Sequence, residues 1–327
     1  MNAIVNTAPG KCQWQTVPDP QPGSGQVRIR THTCAICATD LEMIAGWPRT
    51  APPAIPGHEW CGVVDAVGDR ADAAWVGRRV VGDNVLSDGG EVGFEHPGGY
   101  AEMFVTEAAN LYELPDNTPG DVGALVEPAA VCLRAMRRWP IEPPCETIVI
   151  GDGPIGLMLV LLALDAGVER PVLIGGRRAR LDLARDFGAE TFDYHASDDE
   201  LVGTILKAHP AGFAHVAEAS GSPRGMASGL ALAAQNAKVV VVGDYGEARA
   251  SFAWNDLLHR ELTIAGSNTG SGAWADAVRW AAERRAQLER LVTHRFKASQ
   301  FEQALALARR RGAGAIKIVL QWEESTP

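Results

Sequence analysis

The stretch that decides the fold is Thr147-Ile148-Val149-Ile150-Gly151-Asp152-Gly153-Pro154-Ile155-Gly156. Thr147 to Ile150 is β-branched throughout, the composition of a strand buried on both faces. The glycines then fall in a G-x-G-x-x-G spacing, and the run from Pro154 to Leu164 is apolar all round, which reads as a buried helix. In such a strand–turn–helix the first glycine permits the tight turn and the second lets backbone N–H groups approach a pyrophosphate. The third lets helix and strand pack closely. The spacing alone is a weak signal, with a glycine-rich turn as the plain alternative. Its position between a buried strand and a buried helix marks it as a nucleotide-binding turn. Gly151, Gly153, Pro154, Ile155 and Gly156 are the expected contacts.

Downstream, Pro171 to Ile174 reads as a second strand, and Arg178 to Phe187 as a helix with Leu181, Ala184 and Phe187 on one face. Further strands are expected at His215–Glu218, Lys238–Val242 and Leu262–Ala265, with helices at Pro223–Ala234 and Ala273–Gln287. This alternation predicts an α/β unit, a doubly wound parallel sheet with helices on both faces. The end of the second strand bears on which nicotinamide nucleotide fits. NAD-selective sites place an acid there to accept from the ribose 2′-OH. Here the residues are Gly175-Gly176-Arg177-Arg178, which lack an acid and offer guanidinium groups to a 2′-phosphate. Arginines in a first helical turn oppose the helix dipole, so a bound anion would help to explain them; a solvated helix start is the alternative. The expectation is NADP(H) over NAD(H).

Upstream, the chain to about Pro144 is rich in Gly, Pro and short β-type runs, among them Val27–Thr31, Cys61–Val67 and Arg79–Val81. A compact, irregular β-barrel is the expectation. The tail, Phe301–Arg311 then Ala315–Leu320, reads as a helix and a strand.

The upstream half also carries possible metal ligands: Cys37 in Cys-Ala-Thr-Asp, His58 and Glu59 in Pro-Gly-His-Glu, and Glu127 in Val-Glu-Pro. A thiolate, an imidazole and carboxylates are the donors of a catalytic Zn²⁺ with one open position. Singly, each has an ordinary explanation. A free Cys is usually a small buried hydrophobe, and Cys34-x-x-Cys37 lacks the second pair that would close a zinc ribbon. Taken with the glycine turn, the set suggests a metal that polarises an oxygen beside a nicotinamide that takes a hydride.

Bulk properties narrow the setting. At 327 residues, length favours about two domains, and 46% hydrophobic with 21% charged residues is ordinary globular composition. A net charge of −10 argues against nucleic acid and anionic membranes as partners, leaving a small-molecule substrate. The N-terminus has no basic segment followed by an apolar core, and the longest apolar run is about half of what spans a bilayer. Six scattered cysteines do not form a disulfide framework. The cytoplasm is the simplest compartment.

The motifs Ile36-Cys37-Ala38-Thr39-Asp40, Pro56-Gly57-His58-Glu59, Gly98-Gly99-Tyr100-Ala101-Glu102, Glu127-Pro128, the Gly151 turn, Ser220-Gly221 and Glu261 to Ser267 occur in one order over nearly the whole chain. In this the sequence resembles the zinc-dependent medium-chain dehydrogenases, the alcohol, sorbitol and threonine dehydrogenase superfamily. The resemblance implies a GroES-like β-barrel catalytic domain, residues 1–144 completed by about 290–327, and a Rossmann domain over 145–289. It implies that Cys37 and His58 bind zinc and that Glu59 is the carboxylate beside the metal, ligating or exchanging with substrate. Glu127 takes the place of a cysteine of classical alcohol dehydrogenases, as in polyol dehydrogenases. Thr39 matches the hydroxyl that hydrogen-bonds the zinc-held alcohol and starts the proton relay. The implied function is hydride transfer between a nicotinamide cofactor and a secondary alcohol, polyol or ketone, in a homo-oligomer, dimer or tetramer. The family's four-cysteine lobe for a structural zinc should follow Arg78-Arg79-Val80, but Val81 to Tyr100 contains no Cys, so one zinc is expected. Glu42 stands where many members have a relay histidine, and its role stays open. The alternatives are a zinc-free enzyme of the quinone-reductase type and a non-catalytic nucleotide-binding protein.

Overall fold

The computed structural model describes residues 1–195, 198–310 and 314–322. It divides into two compact units, Met1–Ala130 with Ser271–Pro327, and Val131–Gly270.

The second unit is built on a six-stranded sheet in the order Glu190–Asp193, Val172–Gly175, Thr147–Ile150, Phe213–Glu218, Ala233–Val241, Thr263–Gly266. Every neighbouring pair is parallel. This is the doubly wound order, and the winding reverses beside Thr147–Ile150, where ligands bind at the carboxyl ends of the strands. Thr147–Ile150 and Val172–Gly175 are buried throughout, as strands covered on both faces are. The helix Pro154–Asp165 buries every residue from Gly156 to Ala163, whereas Arg178–Phe187 buries Leu181, Leu183 and Ala184 and leaves Phe187 half-buried. Three elements of this unit lie outside the expected set: the strand Glu190–Asp193, the helix Asp198–Ala208 and the helix Trp254–His259. The strand is a short, half-buried edge and the last helix buries none of its residues, so neither carries a clear periodicity. Ala233–Val241 starts earlier than expected because Ala233 pairs with Phe213, and this pairing overrides the helix propensity of an alanine-rich run.

The first unit carries a seven-stranded sheet, in the order Val292–Lys297, Lys317–Gln321, Gln26–Ala35, Glu59–Val67, Arg79–Gly82, Leu111–Glu113, with Met103–Glu107 also paired to Gln26–Ala35. Its core includes Ile29, Trp60, Val64, Tyr100, Phe104 and Leu320. Val319 lies opposite Ala35, so the C-terminal strand closes against the N-terminal part of the chain. The unit boundaries differ from those expected at 144 and 289. The first falls inside the helix Val126–Arg138. Residues 271–289 join the first unit because Trp274 stacks on Tyr112 with ring centroids 6.2 Å apart and Arg285 Nη1 donates to Asn117 O at 3.3 Å. The tail helix is Phe301–Arg309; its expected end at Arg311 lies outside the described residues. No helix among the described residues is long and apolar enough to cross a membrane.

Candidate metal centre and nucleotide turn

Cys37 caps the helix Ala38–Ala45, and its N–H donates to Asp40 Oδ2 at 2.9 Å. Asp40 is wholly buried and makes two further contacts: Oδ1 lies 2.9 Å from His58 Nδ1, and Oδ2 accepts from the Tyr100 hydroxyl at 3.3 Å. One carboxylate therefore orients both Cys37 and the His58 ring, and the ring also hydrogen-bonds the Cys37 side chain. The sequence shows Asp40 only as a motif letter; its role appears once the chain is folded. Gly57 precedes His58 at φ +102°, and a Cβ there would stand 2.8 Å from Tyr100 N, so glycine is required. Asn84 Nδ2 holds the His58 carbonyl at 2.8 Å, and the Phe94 ring packs on the imidazole with centroids 4.9 Å apart.

Cys37, His58 and Glu59 each present a donor atom within 4.8 Å of the other two. Glu59 is buried, and Lys317 Nζ, also buried, donates to both its carboxylate oxygens. Burial works against the lysine charge, but Glu59 and Cys37 outweigh it and push the Lys317 pKa up to about 12. Glu127 is not one of the three. Part of its surface is accessible, yet protein encloses its carboxyl; burial raises its pKa well above the carboxylate range, opposed by His58 and reinforced by Glu59. Burial also disfavours charge on His58, but Asp40 and Cys37 more than offset it and its pKa lies well above the ordinary value. Cys37, Glu59 and Glu127 lie around Lys317, and the thiol, imidazole and carboxylate donors gathered at one point are a set that fits a divalent cation.

The residues around the three donors sort by contact. Thr39 Oγ1 lies 3.7 Å from Cys37 Sγ. Cys34 is buried in its strand and burial raises its thiol pKa, so the Cys-x-x-Cys spacing brings no second ligand. Glu42 is exposed on the helix. Trp60 is core, donating to Asn84 Oδ1 at 2.9 Å, whereas Trp47 packs edge-on to Phe94. His96 pairs with Asp88 at 2.9 Å in an exposed loop. Arg49 ties that loop down, donating to Glu95 at 2.6 Å and Glu91 at 2.7 Å with its guanidinium 4.7 Å from the Phe94 ring centre.

In the second unit, Gly151 has φ +118°, and a Cβ there would lie 2.8 Å from Ser220 N. A Cβ on Gly156 would come within 1.8 Å of Gly151 O, whereas one on Gly153 would meet nothing within 4 Å. Two glycines are thus needed for packing, and the third keeps open space at the start of the helix, the kind of place where anions bind. Pro154 opens that helix with Gly153 as its cap. Asp152 folds towards the second strand and accepts from Gly176 N at 2.9 Å, Arg177 N at 2.8 Å and Arg177 Nη1 at 2.6 Å. Arg178 pairs with Asp182 at 3.0 Å. The arginine-rich turn therefore has an anion from the chain itself, which corrects the argument that it calls for a bound one. Glu218, buried at the end of its strand, accepts from Ser220 N at 2.9 Å and Gly221 N at 3.2 Å and shapes the neighbouring loop.

Residues 23–116 match the alcohol dehydrogenase GroES-like domain and residues 154–283 match the zinc-binding dehydrogenase domain. An L-threonine 3-dehydrogenase of Anaeromyxobacter sp. (strain Fw109-5) is 31% identical over 98% of this chain and 99% of its own. The chain belongs to the zinc-dependent medium-chain dehydrogenase superfamily. Its fold is the family's GroES-like barrel with a Rossmann sheet, and it is an oxidoreductase of the alcohol dehydrogenase type using a nicotinamide cofactor. Among solved structures of this superfamily, a putative zinc-binding dehydrogenase from Sinorhizobium meliloti 1021 bound to NADP superposes with a TM-score of 0.91 at 25% identity, covering 98% of each chain. Galactitol-1-phosphate dehydrogenase from Escherichia coli gives a TM-score of 0.85 at 26% identity, covering 98% of this chain and 100% of its own.

Proposed function

We propose that the chain interconverts a secondary alcohol or polyol and its ketone, with one zinc held by Cys37, His58 and Glu59 and NADP(H) held at the Gly151 turn. The observation that carries this reading is the convergence of the three donor atoms within 4.8 Å. Glu127 supplies a further carboxylate, directly or through water, and makes the site harder than a thiolate would. When bound, the zinc supplies Lewis-acid polarisation of the substrate oxygen, and the nicotinamide is the hydride's acceptor or donor. The chain's side chains do the rest. Thr39 hydrogen-bonds the substrate hydroxyl and, in taking its proton, releases its own towards solvent; Asp40 keeps the His58 ring oriented, and Lys317 fixes the position of the Glu59 carboxyl group. The unit Val131–Gly270 serves the nucleotide and the other unit the alcohol.

Several observations support the finer points. The names of two relatives, an L-threonine 3-dehydrogenase and a galactitol-1-phosphate dehydrogenase, favour a hydroxylated substrate. The segment after Arg79, which contains no cysteine from Val81 to Tyr100, is fastened by the Arg49 ion pairs to Glu91 and Glu95. Gly175, Gly176, Arg177 and Arg178 favour NADP(H) over NAD(H), as does a structural neighbour bound to NADP. Six free thiols suit the cytoplasm. The edge strand Thr263–Gly266 and the helix Trp254–His259, with Trp254 72% and Leu258 68% exposed, suit a second copy of the chain. Metal analysis run beside a panel of polyols, secondary alcohols and ketones with both nucleotides tests the reading. One zinc per chain is expected, and Cys37→Ser should lose both zinc and turnover. Undiminished turnover by metal-depleted Cys37→Ser enzyme overturns it.

A further inference from the structure

We propose that Asp152 sets the balance between NAD(H) and NADP(H), as an acid relocated from the end of the second strand to the glycine turn. It competes with a nucleotide 2′-phosphate for Arg177 and for two backbone N–H groups. The inference rests on the reading of the Gly151 turn as the nucleotide site.

The relocation is visible in the packing around Gly175. This residue ends the strand Val172–Gly175, the place from which an acid meets the ribose in NAD-selective folds. A Cβ on Gly175 would lie 2.5 Å from Asp152 Cβ and 2.8 Å from Asp152 Oδ2. The loop acid therefore fills the space that a strand-end side chain would enter, and position 175 has to be glycine.

Asp152 is only 3% exposed, and its donors form an anion-binding nest. Oδ2 accepts from Gly176 N at 2.9 Å and Arg177 N at 2.8 Å, and Oδ1 from Arg177 Nη1 at 2.6 Å. Arg180 lies close by, with Nη1 3.2 Å from Asp152 O and 3.9 Å from Oδ1. Tyr194 closes the far side, since a Cβ on Gly176 would lie 2.3 Å from its ring. These N–H groups and guanidinium are the donors that a 2′-phosphate, with nearly two negative charges, would also use. Two anions within one nest repel. A ribose 2′-OH brings no charge, so NAD(H) leaves the Asp152 contacts intact. The arginines favour NADP(H) and Asp152 opposes them.

The test is equilibrium binding of NAD⁺ and NADP⁺, followed by tryptophan fluorescence and calorimetry, to the wild-type chain, Asp152→Asn and Asp152→Ser. Thermal melts accompany each variant, and the serine form serves if the asparagine form does not fold. Relief of the repulsion should tighten NADP⁺ by about tenfold while NAD⁺ changes by less than about threefold. Adding Arg177→Ala to Asp152→Asn should reverse that gain. An unchanged ratio of the two affinities, or an equal loss for both nucleotides, overturns the proposal, because Asp152 would then only shape the turn. If the wild-type chain binds neither nucleotide, the reading of the turn as a nucleotide site falls, and the proposal with it.

Discussion

The candidate metal centre and the glycine turn proposed for the nucleotide are built by opposite means. The centre gathers side chains from residues 37–40, 58–59, 127 and 317, and what matters is which charges face one another. The turn is one contiguous stretch, 151–156, and what matters is where there is room for a Cβ. A site made of side chains fails when a charge loses its partner. A site made of backbone fails when an atom is added.

The sharpest break of this contrast is Lys317→Met, which leaves Glu59 as a buried charge without its partner. It should destabilise the metal-free chain by about 3–5 kcal/mol in denaturant unfolding, with part of the loss recovered in saturating zinc. The counterpart in the turn is Gly156→Ala. Its Cβ would overlap Gly151 O, so a loss of about 3 kcal/mol and of nucleotide binding is expected, with the zinc content unchanged. Asp40→Asn removes the charge that orients His58 and should weaken zinc about 10–100-fold in a competition assay, at near-normal melting temperature. Gly153→Ala sharpens the distinction within the turn. Its Cβ meets no protein atom, so the melting temperature should hold while nucleotide affinity falls about tenfold.

The smallest effect belongs to a balanced ion pair in the first unit. Burial pushes the Asp65 pKa up, but hydrogen bonds from Arg30 and Arg28 more than offset it and lower the value. A lowered folded-state pKa gives stability that is present above the unfolded value of about 3.9 and lost as pH falls through the folded value. Unfolding free energies measured from pH 5 downwards should fall less steeply in Asp65→Asn than in the wild-type chain. Equal slopes would show that the arginines do not favour the carboxylate.

Legibility in the sequence follows the same division. The glycine turn could be read because its residues are consecutive, and the helix Arg178–Phe187 fell where its periodicity put it. The helix Trp254–His259 could not be read, since it buries no residue and has no apolar face to leave a pattern. In the centre, Cys37, His58 and Glu59 were legible as donor types inside motifs. Lys317 was not, because it reaches Glu59 only through the pairing of the C-terminal strand with Gln26–Ala35. Asp152 looked like an interchangeable letter between two glycines, and its partners lie 24 and 25 residues downstream.

The sequence by itself determined the doubly wound sheet, the glycine turn and the chemical types of the candidate metal donors. Each of these is local, set by composition and spacing over a few residues. Tertiary structure alone decided that Asp40 orients His58, that Lys317 balances Glu59, and that Asp152 answers the arginines after the second strand. Those are electrostatic pairings between distant segments, and only the folded chain sets the distances on which they depend.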